Sequence, residues 1–384
     1  RELAEQVGEA IRQLASRMRN IKVVMLCGGK PFGPQRDSLE HGAHIVVGTP
    51  GRIQDHLQRQ TLDLTSVATF VLDEADRMLD MGFAEVMATI TAALPKKRQT
   101  LLLSATFPDD IKKMSRAIQH QPIEVKVDTV LTHDETVVEQ LFFEIQKHER
   151  NTALLALFEH YQPGNAMVFC NTKKQCAEVA AFLQEHDIEA AAIHGDLDQR
   201  DRDQVLLQFT NNTSPVLVAS DVAARGLDIP ALAMVVNFEL PRDGDTYVHR
   251  IGRTGRAGET GQAFSLVTPS EAPRLRVIED HLQINCLCDV LESLNRNPNY
   301  QLQGDMTTLQ FDAGRKQKLR PGDILGALTG DAGLAGDQIG KIKILDNSSY
   351  VAIARPVLRQ AMNYLAQGKI KGRSIRVRRL QLHR

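Results

Sequence analysis

The run Thr69-Phe70-Val71-Leu72 is short, apolar and partly β-branched, and it passes without a spacer into Asp73-Glu74-Ala75-Asp76. Such a run reads as a buried strand of a parallel sheet. In open α/β sheets the chemistry gathers beyond the carboxyl ends of the strands. An Asp at that point, here Asp73, can hold Mg²⁺ on a nucleotide, directly or through water, and the adjacent Glu74 can orient or deprotonate an attacking water. A plainer use of the same residues is an acidic first helical turn, where carboxylates favour the positive end of the dipole. The partners found downstream decide between the two.

Strands and helices alternate on both sides of this stretch. Apolar residues at Leu3, Val7, Ala10, Ile11 and Leu14 give a helical period. The strands Ile21 to Leu26, Ile45 to Val47 and Thr100 to Leu103 end respectively at Cys27-Gly28-Gly29, Gly48-Thr49-Pro50-Gly51-Arg52 and Ser104-Ala105-Thr106. That order predicts an α/β domain with a parallel sheet over residues 1–128. A Thr-rich linker is expected at 129–137. The alternation restarts over 138–284, with strands at Ala166 to Phe169, Ala190 to Ile193, Val216 to Ala219, Met234 to Asn237 and Ala263 to Val267. A second linker is expected at 285–306, rich in Asn. Residues 307–384 then read βαββαβ, the plan of RNA-recognition-type domains.

Charge is unevenly spread. Residues 308–384 hold 15 Lys and Arg against 5 Asp and Glu, on a chain whose net charge is −1. A basic block on an otherwise acidic chain suggests a polyanion partner. No run of 18 apolar residues is present, so no membrane partner is expected. The five cysteines are odd in number and scattered, and Cys286-x-Cys288 lacks a second pair at zinc spacing. They read as reduced thiols of a cytoplasmic protein. The chain opens at Arg1 without a Met, so its true N-terminus is not readable.

Each strand end carries a group suited to a phosphate. A glycine pair, Gly28-Gly29, lets backbone approach a polyanion closely. Thr49 offers a hydroxyl, Gly51 an amide and Arg52 a guanidinium, a sequence-independent grip; alone, Thr49-Pro50-Gly51 would read as a turn. Ser104 and Thr106 can hydrogen-bond the acidic stretch, though Thr106 before Pro108 would equally suit a helix cap. In the second unit stand His194-Gly195-Asp196, Asp221-Val222-Ala223-Ala224-Arg225-Gly226-Leu227-Asp228 and His249-Arg250-Ile251-Gly252-Arg253-Thr254-Gly255-Arg256. Arg253 and Arg256, three apart, would share a helical face, placed to neutralise charge on a transferring phosphoryl group or simply to be solvated.

Taken in order, with Arg1-Glu2-Leu3-Ala4 ahead of them, these stretches resemble the DEAD-box RNA helicases over nearly the whole chain. The resemblance implies two RecA-like parallel-sheet domains, the first incomplete, and an RNA-recognition-type third domain. It implies RNA-stimulated hydrolysis of ATP with Mg²⁺ and local opening of RNA duplex. By resemblance Asp228 contacts the ribose, and His249 ties its segment to the γ-phosphate side of the first domain. Asp76, Ser104 and Thr106 couple the domains. Arg1, Gly29, Thr49, Gly51, Arg52, Gly195, Ser220 and Arg225 face RNA. Position 220 is usually Thr in this family, and Ser keeps the hydroxyl.

Two departures stand out. No G-x-x-x-x-G-K-[ST] loop occurs in the sequence, so the chain resembles a helicase lacking its N-terminal part. Backbone amides and a Lys on the phosphates are the main ATP grip, so the chain by itself is expected to bind ATP poorly. An RNA-binding clamp is therefore the alternative reading, and a DNA-unwinding enzyme a second rival, separable by 2′-OH contacts. The third domain also lacks paired stacking aromatics. Tyr350 is one candidate base contact, and Lys369, Lys371 and Arg376, in a cluster with Arg373, Arg378 and Arg379, are the basic ones. The segment from Lys318 to Gly330, with Ile339-Gly340-Lys341-Ile342, resembles a bacterial branch of the family that acts in ribosome assembly. That implies a large-subunit ribosomal RNA hairpin and pre-ribosomal particles as partners, with the protein expected as a monomer.

Overall fold

The computed structural model describes residues 1–381 other than 127–137, 225, 226, 228, 230, 231 and 256–259. It divides into two compact units: the described parts of the first are Arg1 to Lys126 and Leu227, and those of the second run from Val138 to Ala224 and from Ile229 to Gln381. The expected linker at 129–137 lies outside the described residues.

In the first unit the order is α1 (Glu2–Leu14), β1 (Val23–Leu26), α2 (Phe32–Glu40), β2 (Ile45–Gly48), α3 (Pro50–Gln58), β3 (Thr69–Leu72), α4 (Ala75–Asp80), α5 (Ala84–Ala92), β4 (Gln99–Leu102) and α6 (Asp109–Ile118). β1 pairs with β2 and β3 with β4, both parallel. Pro50 opens α3 at a position where its missing N–H is not needed. The expectation that the strand before the acidic stretch is buried on both sides holds for one side only. Leu72 packs with Met87 and Ile90 under α5, joined by Phe70, Leu102, Met114 and Ile118. Val71, Leu101 and Leu103, pointing the other way by the period of two, are about half exposed.

The second unit opens with a complete parallel sheet. Its strands are β5 (Val138–Glu144), β6 (Ala166–Cys170), β7 (Ala190–Ile193), β8 (Val216–Ser220), β9 (Met234–Asn237), β10 (Gly261–Val267) and β11 (Cys288–Asp289), in the spatial order β11-β5-β10-β9-β6-β8-β7. α7 (Arg150–Tyr161), α8 (Lys173–Glu185), α9 (Gln199–Thr210), α10 (Asp221–Ala224), α11 (Gly244–Ile251) and α12 (Ala272–Leu282) connect them. Central strands β6 and β9 are buried along their whole length, as both-face coverage by helices requires.

Residues 285–306 are not a free spacer. They carry β11, paired to β5, and then lie along the second domain. Arg296 Nε donates to Glu159 at 2.6 Å, Tyr300 Oη donates to the Pro163 carbonyl at 2.8 Å, and Leu302 is buried in the main core. The third domain follows: β12 (Met306–Phe311), α13 (Pro321–Gly326), β13 (Ile339–Ile344), β14 (Ser349–Ala354), α14 (Leu358–Gln367) and β15 (Val377–Arg379). These form an antiparallel sheet in the order β13-β14-β12-β15. Leu309, Phe311, Val351 and Ile353 face the helices and build the core with Leu358, Ala361 and Leu365.

The other face of that sheet is covered as well. Thr308 is completely buried, its hydroxyl 2.8 Å from that of Thr213 and accepting from Asn211 Nδ2 at 3.2 Å. Asn212 Nδ2 donates to Asp305 at 2.9 Å, and Arg355 pairs with Glu189. Gly304 lies so near the Asn212 carbonyl that a Cβ would come within 2.2 Å of it, so only glycine fits there. The third domain is thus docked on the second through the sheet face that RNA-recognition domains ordinarily offer to bases.

Candidate active site and RNA-facing surfaces

β3 delivers the acidic stretch to the sheet's carboxyl edge, and the chain turns sharply there. Glu74 has φ 50° and ψ 53°, a left-handed conformation that costs a non-glycine residue of order 1–3 kcal/mol and gathers at functional sites. The Glu74 amide donates to Asp73 Oδ1 at 3.0 Å, and Arg77 donates to Glu74 Oε2 at 2.6 Å. Both carboxylates are half-buried. Among the described residues no group of three His, Cys, Asp or Glu forms a protein cage for a metal. The donor set at this strand end is one or two carboxylates open to solvent. That suits Mg²⁺, which keeps most of its waters and takes phosphate oxygens.

Asp76, in the first turn of α4, faces the next strand's end. Its Oδ2 accepts from the Thr106 amide and hydroxyl, its Oδ1 from the Arg77 amide at 2.9 Å, and its own amide donates to Ser104 Oγ at 3.2 Å. Burial alone would raise its pKa, but the donors from Thr106, Arg77 and Ser104 outweigh it and hold the carboxyl below its ordinary value.

On the same unit, the Gly28 amide donates to Thr49 Oγ1 at 3.4 Å, so the glycine pair and the start of α3 stand side by side. Gly29 has φ 82°, which glycine adopts freely. The Arg1 side chain lies over Gly28. Gly51 is exposed and faces open space. Arg52 is turned inward: its Nη1 donates to the Lys30 carbonyl and to Gln35 Oε1, both at 3.1 Å. Gln35 Nε2 in turn donates to the Cys27 carbonyl at 3.0 Å, and Gln35 Oε1 also meets His56 Nε2 at 3.2 Å. Arg52 therefore ties the glycine loop to α3. Gln35 and His56, two residues of this network, carry no local sequence signal.

In the second domain the organising residue is Arg250, which sequence reasoning passed over. It is 1% exposed. Its Nε and Nη2 grip Asp221 at 2.6 and 2.8 Å, Nη1 donates to Asn237 Oδ1 and the Glu239 carbonyl, and Nη2 also reaches Asn171 at 2.9 Å. One guanidinium thereby joins the ends of β6, β8 and β9 to α11. A bidentate carboxylate pair that satisfies the remaining donors is the arrangement in which a buried charge is tolerated. His249 and Arg253 flank it and line one small cavity with Phe169, Asp221, Ala224 and Thr246. Ser220 closes β8 and Gly195 follows β7, both on the carboxyl edge of the sheet. Arg225, Asp228 and Arg256 lie outside the described residues.

In the third domain Tyr350 stands opposite Gln310 in register and is 5% exposed. It offers no open ring for a base, because this sheet face is docked, and its expected role as a stacking contact does not fit its position. Lys369 and Arg376 are exposed, and Lys371 Nζ donates to the Lys318 carbonyl at 3.2 Å and meets Asp323 at 3.4 Å.

Comparison with known proteins agrees with this geometry. Residues 1–114 match the DEAD/DEAH box helicase family, 149–258 the helicase conserved C-terminal domain and 308–379 the DbpA RNA binding domain. The ATP-dependent RNA helicase DbpA of Escherichia coli is 48% identical over 381 residues, covering 99% of this chain and 82% of that protein. The protein of the same description from Bacillus subtilis is 35% identical over 399 residues, covering 98% and 82%. Among solved structures, S. cerevisiae Dbp5 bound to RNA and ADP BeF3 superposes with a TM-score of 0.65 at 31% identity, over 76% of each chain. The chain belongs to the DEAD-box ATP-dependent RNA helicases. Within them it is of the DbpA type, with two RecA-like domains and the RNA-binding domain that marks that branch.

Proposed function

We propose that this protein hydrolyses ATP with Mg²⁺ at the Asp73-Glu74 strand end and uses the cycle to open structured RNA during assembly of the large ribosomal subunit. The observation that carries the reading is the left-handed Glu74 beside Asp73 at the carboxyl end of β3, with Asp76 clasped to Thr106 and Ser104. Bound Mg²⁺–ATP would supply the phosphoryl group. Asp73 would hold the metal's water shell and Glu74 would take a proton from the attacking water. Arg253, with Arg256, would neutralise charge on the phosphoryl oxygens, and His249 would assist from the same segment. Gly29, Thr49, Gly51, Gly195 and Ser220 would bear RNA phosphates, with Arg52 holding their loop in place.

Targeting to a hairpin of large-subunit ribosomal RNA, within pre-ribosomal particles in the cytoplasm and as a monomer, is supported by the basic third domain and by the family branch. Phosphate contacts give affinity without sequence preference, so the hairpin preference calls for a direct test. ATP turnover of the full reading frame should be stimulated far more by that hairpin than by a scrambled RNA or by DNA of the same sequence. Equal stimulation by all three would remove the ribosomal reading.

A further inference from the structure

Between α9 and β15 lies a groove of about 1430 Å³ that none of the helicase motifs occupies. Small-molecule pockets run to roughly 300–1,000 Å³ and are mainly apolar. This one is larger, and amides and guanidinium groups line it. On one wall stand Arg200 and Gln204, four apart and so on one helical face. The next residue of that stripe, Gln208, is buried behind it and donates to the carbonyl of Gln381, which lines the groove, at 2.8 Å. On the other wall stand Gln310, Arg378 and Arg379.

Three observations point to a ligand. Gln310 is at least nine-tenths buried, lines the groove, and its side-chain amide makes no hydrogen bond within the described residues. Arg200 is exposed and has no acidic partner within 4 Å among those residues, while Arg378, opposite Gln310 in register, is only loosely held, 3.6 Å from Asp312. The acids at the far end are already engaged, Glu189 by Arg355 and Asp187 by Gln301. α9 begins just after Gly195-Asp196, at the carboxyl edge of the sheet, so Arg200 lies at the end of the groove nearer the helicase surface.

We propose that this groove binds a single-stranded RNA segment. Arg200 and Arg378 take phosphates, and the Gln310 and Gln204 amides meet the edges of unstacked bases. It would carry the strand that joins a hairpin on the third domain to the RNA surface of the helicase core. This rests on the reading that the third domain holds structured RNA.

The test compares this chain with an Arg200→Ala variant on a hairpin with and without a single-stranded oligouridine tail. The tail should tighten binding to the native chain. The variant should lose most of that gain, with the log–log salt slope on the tailed RNA falling by about 0.7 for the lost phosphate contact, and Arg200→Lys should restore it. The bare hairpin should bind all three alike. A tail gain that survives the Ala change overturns the proposal. So does displacement of oligouridine by poly-glutamate at equal charge, which would assign the groove to an acidic protein. Should the hairpin itself fail to bind, the targeting reading falls. Crosslinking of 4-thiouridine oligouridine then still decides the groove: attachment near Gln310 or Arg200 supports it, and attachment only elsewhere overturns it.

Discussion

Thr106 gives Asp76 two hydrogen bonds, one from its amide and one from its hydroxyl, both at 2.9 Å. The clasp fixes the end of β4 against the acidic stretch. Thr106→Val keeps the amide and shape but removes the hydroxyl. A carboxylate that loses a donor costs about 1–3 kcal/mol, so the first domain should be destabilised by that order at neutral pH. Asp76 has a folded-state pKa below its ordinary value, so its contribution is present above that value and lost as pH falls through the lowered one. The gap between native and variant in denaturant melts should therefore close in acid. Duplex release should fall in the variant more than ATP turnover does, since Thr106 touches neither carboxylate assigned to the chemistry.

Glu74→Gln keeps the side chain's size but removes the base. In the full reading frame it should lower RNA-stimulated ATP turnover by about 10²–10⁴-fold while leaving ATP and RNA binding near native. The Arg77 partner would remain, now beside a neutral amide. A variant that turns over at the native rate would show that Glu74 is only the start of a helix.

Arg250 and Arg253 sit three apart and should behave oppositely. Arg250→Ala strands Asp221 in a largely enclosed site, and breaking a buried pair from one side costs about 3–5 kcal/mol. The second domain should melt far earlier. Arg253→Ala should shift the melt far less and lower turnover by roughly 10³–10⁵-fold, as loss of an arginine finger does. Equal melts for the two variants would contradict the hub assigned to Arg250.

That pair also marks where sequence reading reaches its limit. Asp73, Glu74, Thr49 and Gly195 could be placed at strand ends from the sequence because each sits in a segment a few residues long, and the alternation of strands and helices gave both parallel-sheet domains. Arg250 looked like one more basic residue in an Arg-rich segment. Its role arises only when Asn171, Asp221 and Asn237 converge on it from three other strand ends. The βαββαβ order of the third domain was readable from periodicity. Its docking was not, because Thr308 and Gln310 alternate with Leu309 and Phe311 as solvent-facing residues would. Tyr350 is a base-contact candidate only by its place in an RNA-recognition-type sheet. Only the tertiary contacts of Thr308 with Asn211 and Thr213 show the face is taken.

His56 is fully buried in the first domain, stacked on Phe32 with ring centroids 4.2 Å apart. Its Nε2 meets Gln35 Oε1, an acceptor, and its Nδ1 lies 2.8 Å from the Thr61 hydroxyl. The neutral ring with its proton on Nε2 satisfies both. Burial, and then the nearby Arg52, push its pKa below the ordinary 6.5, with Arg59 acting the same way and Asp55 opposing. A base whose folded pKa is depressed binds more protons when unfolded. Its contribution to stability is therefore present above pH 6.5 and is lost as pH falls toward the lowered value. Protonation would also set a second cation against Arg52, which holds the Gly28-Gly29 loop to α3. Stability of the first domain should decline as pH drops below about 6.5, and RNA affinity should weaken over the same window. His56→Gln keeps polar groups beside Gln35 and Thr61 without a titrating ring, so both declines should flatten in it. Denaturant midpoints and RNA titrations at pH 5 to 8 read the two directly. Parallel pH profiles for native and variant would show that His56 does not set the acid limit of this domain.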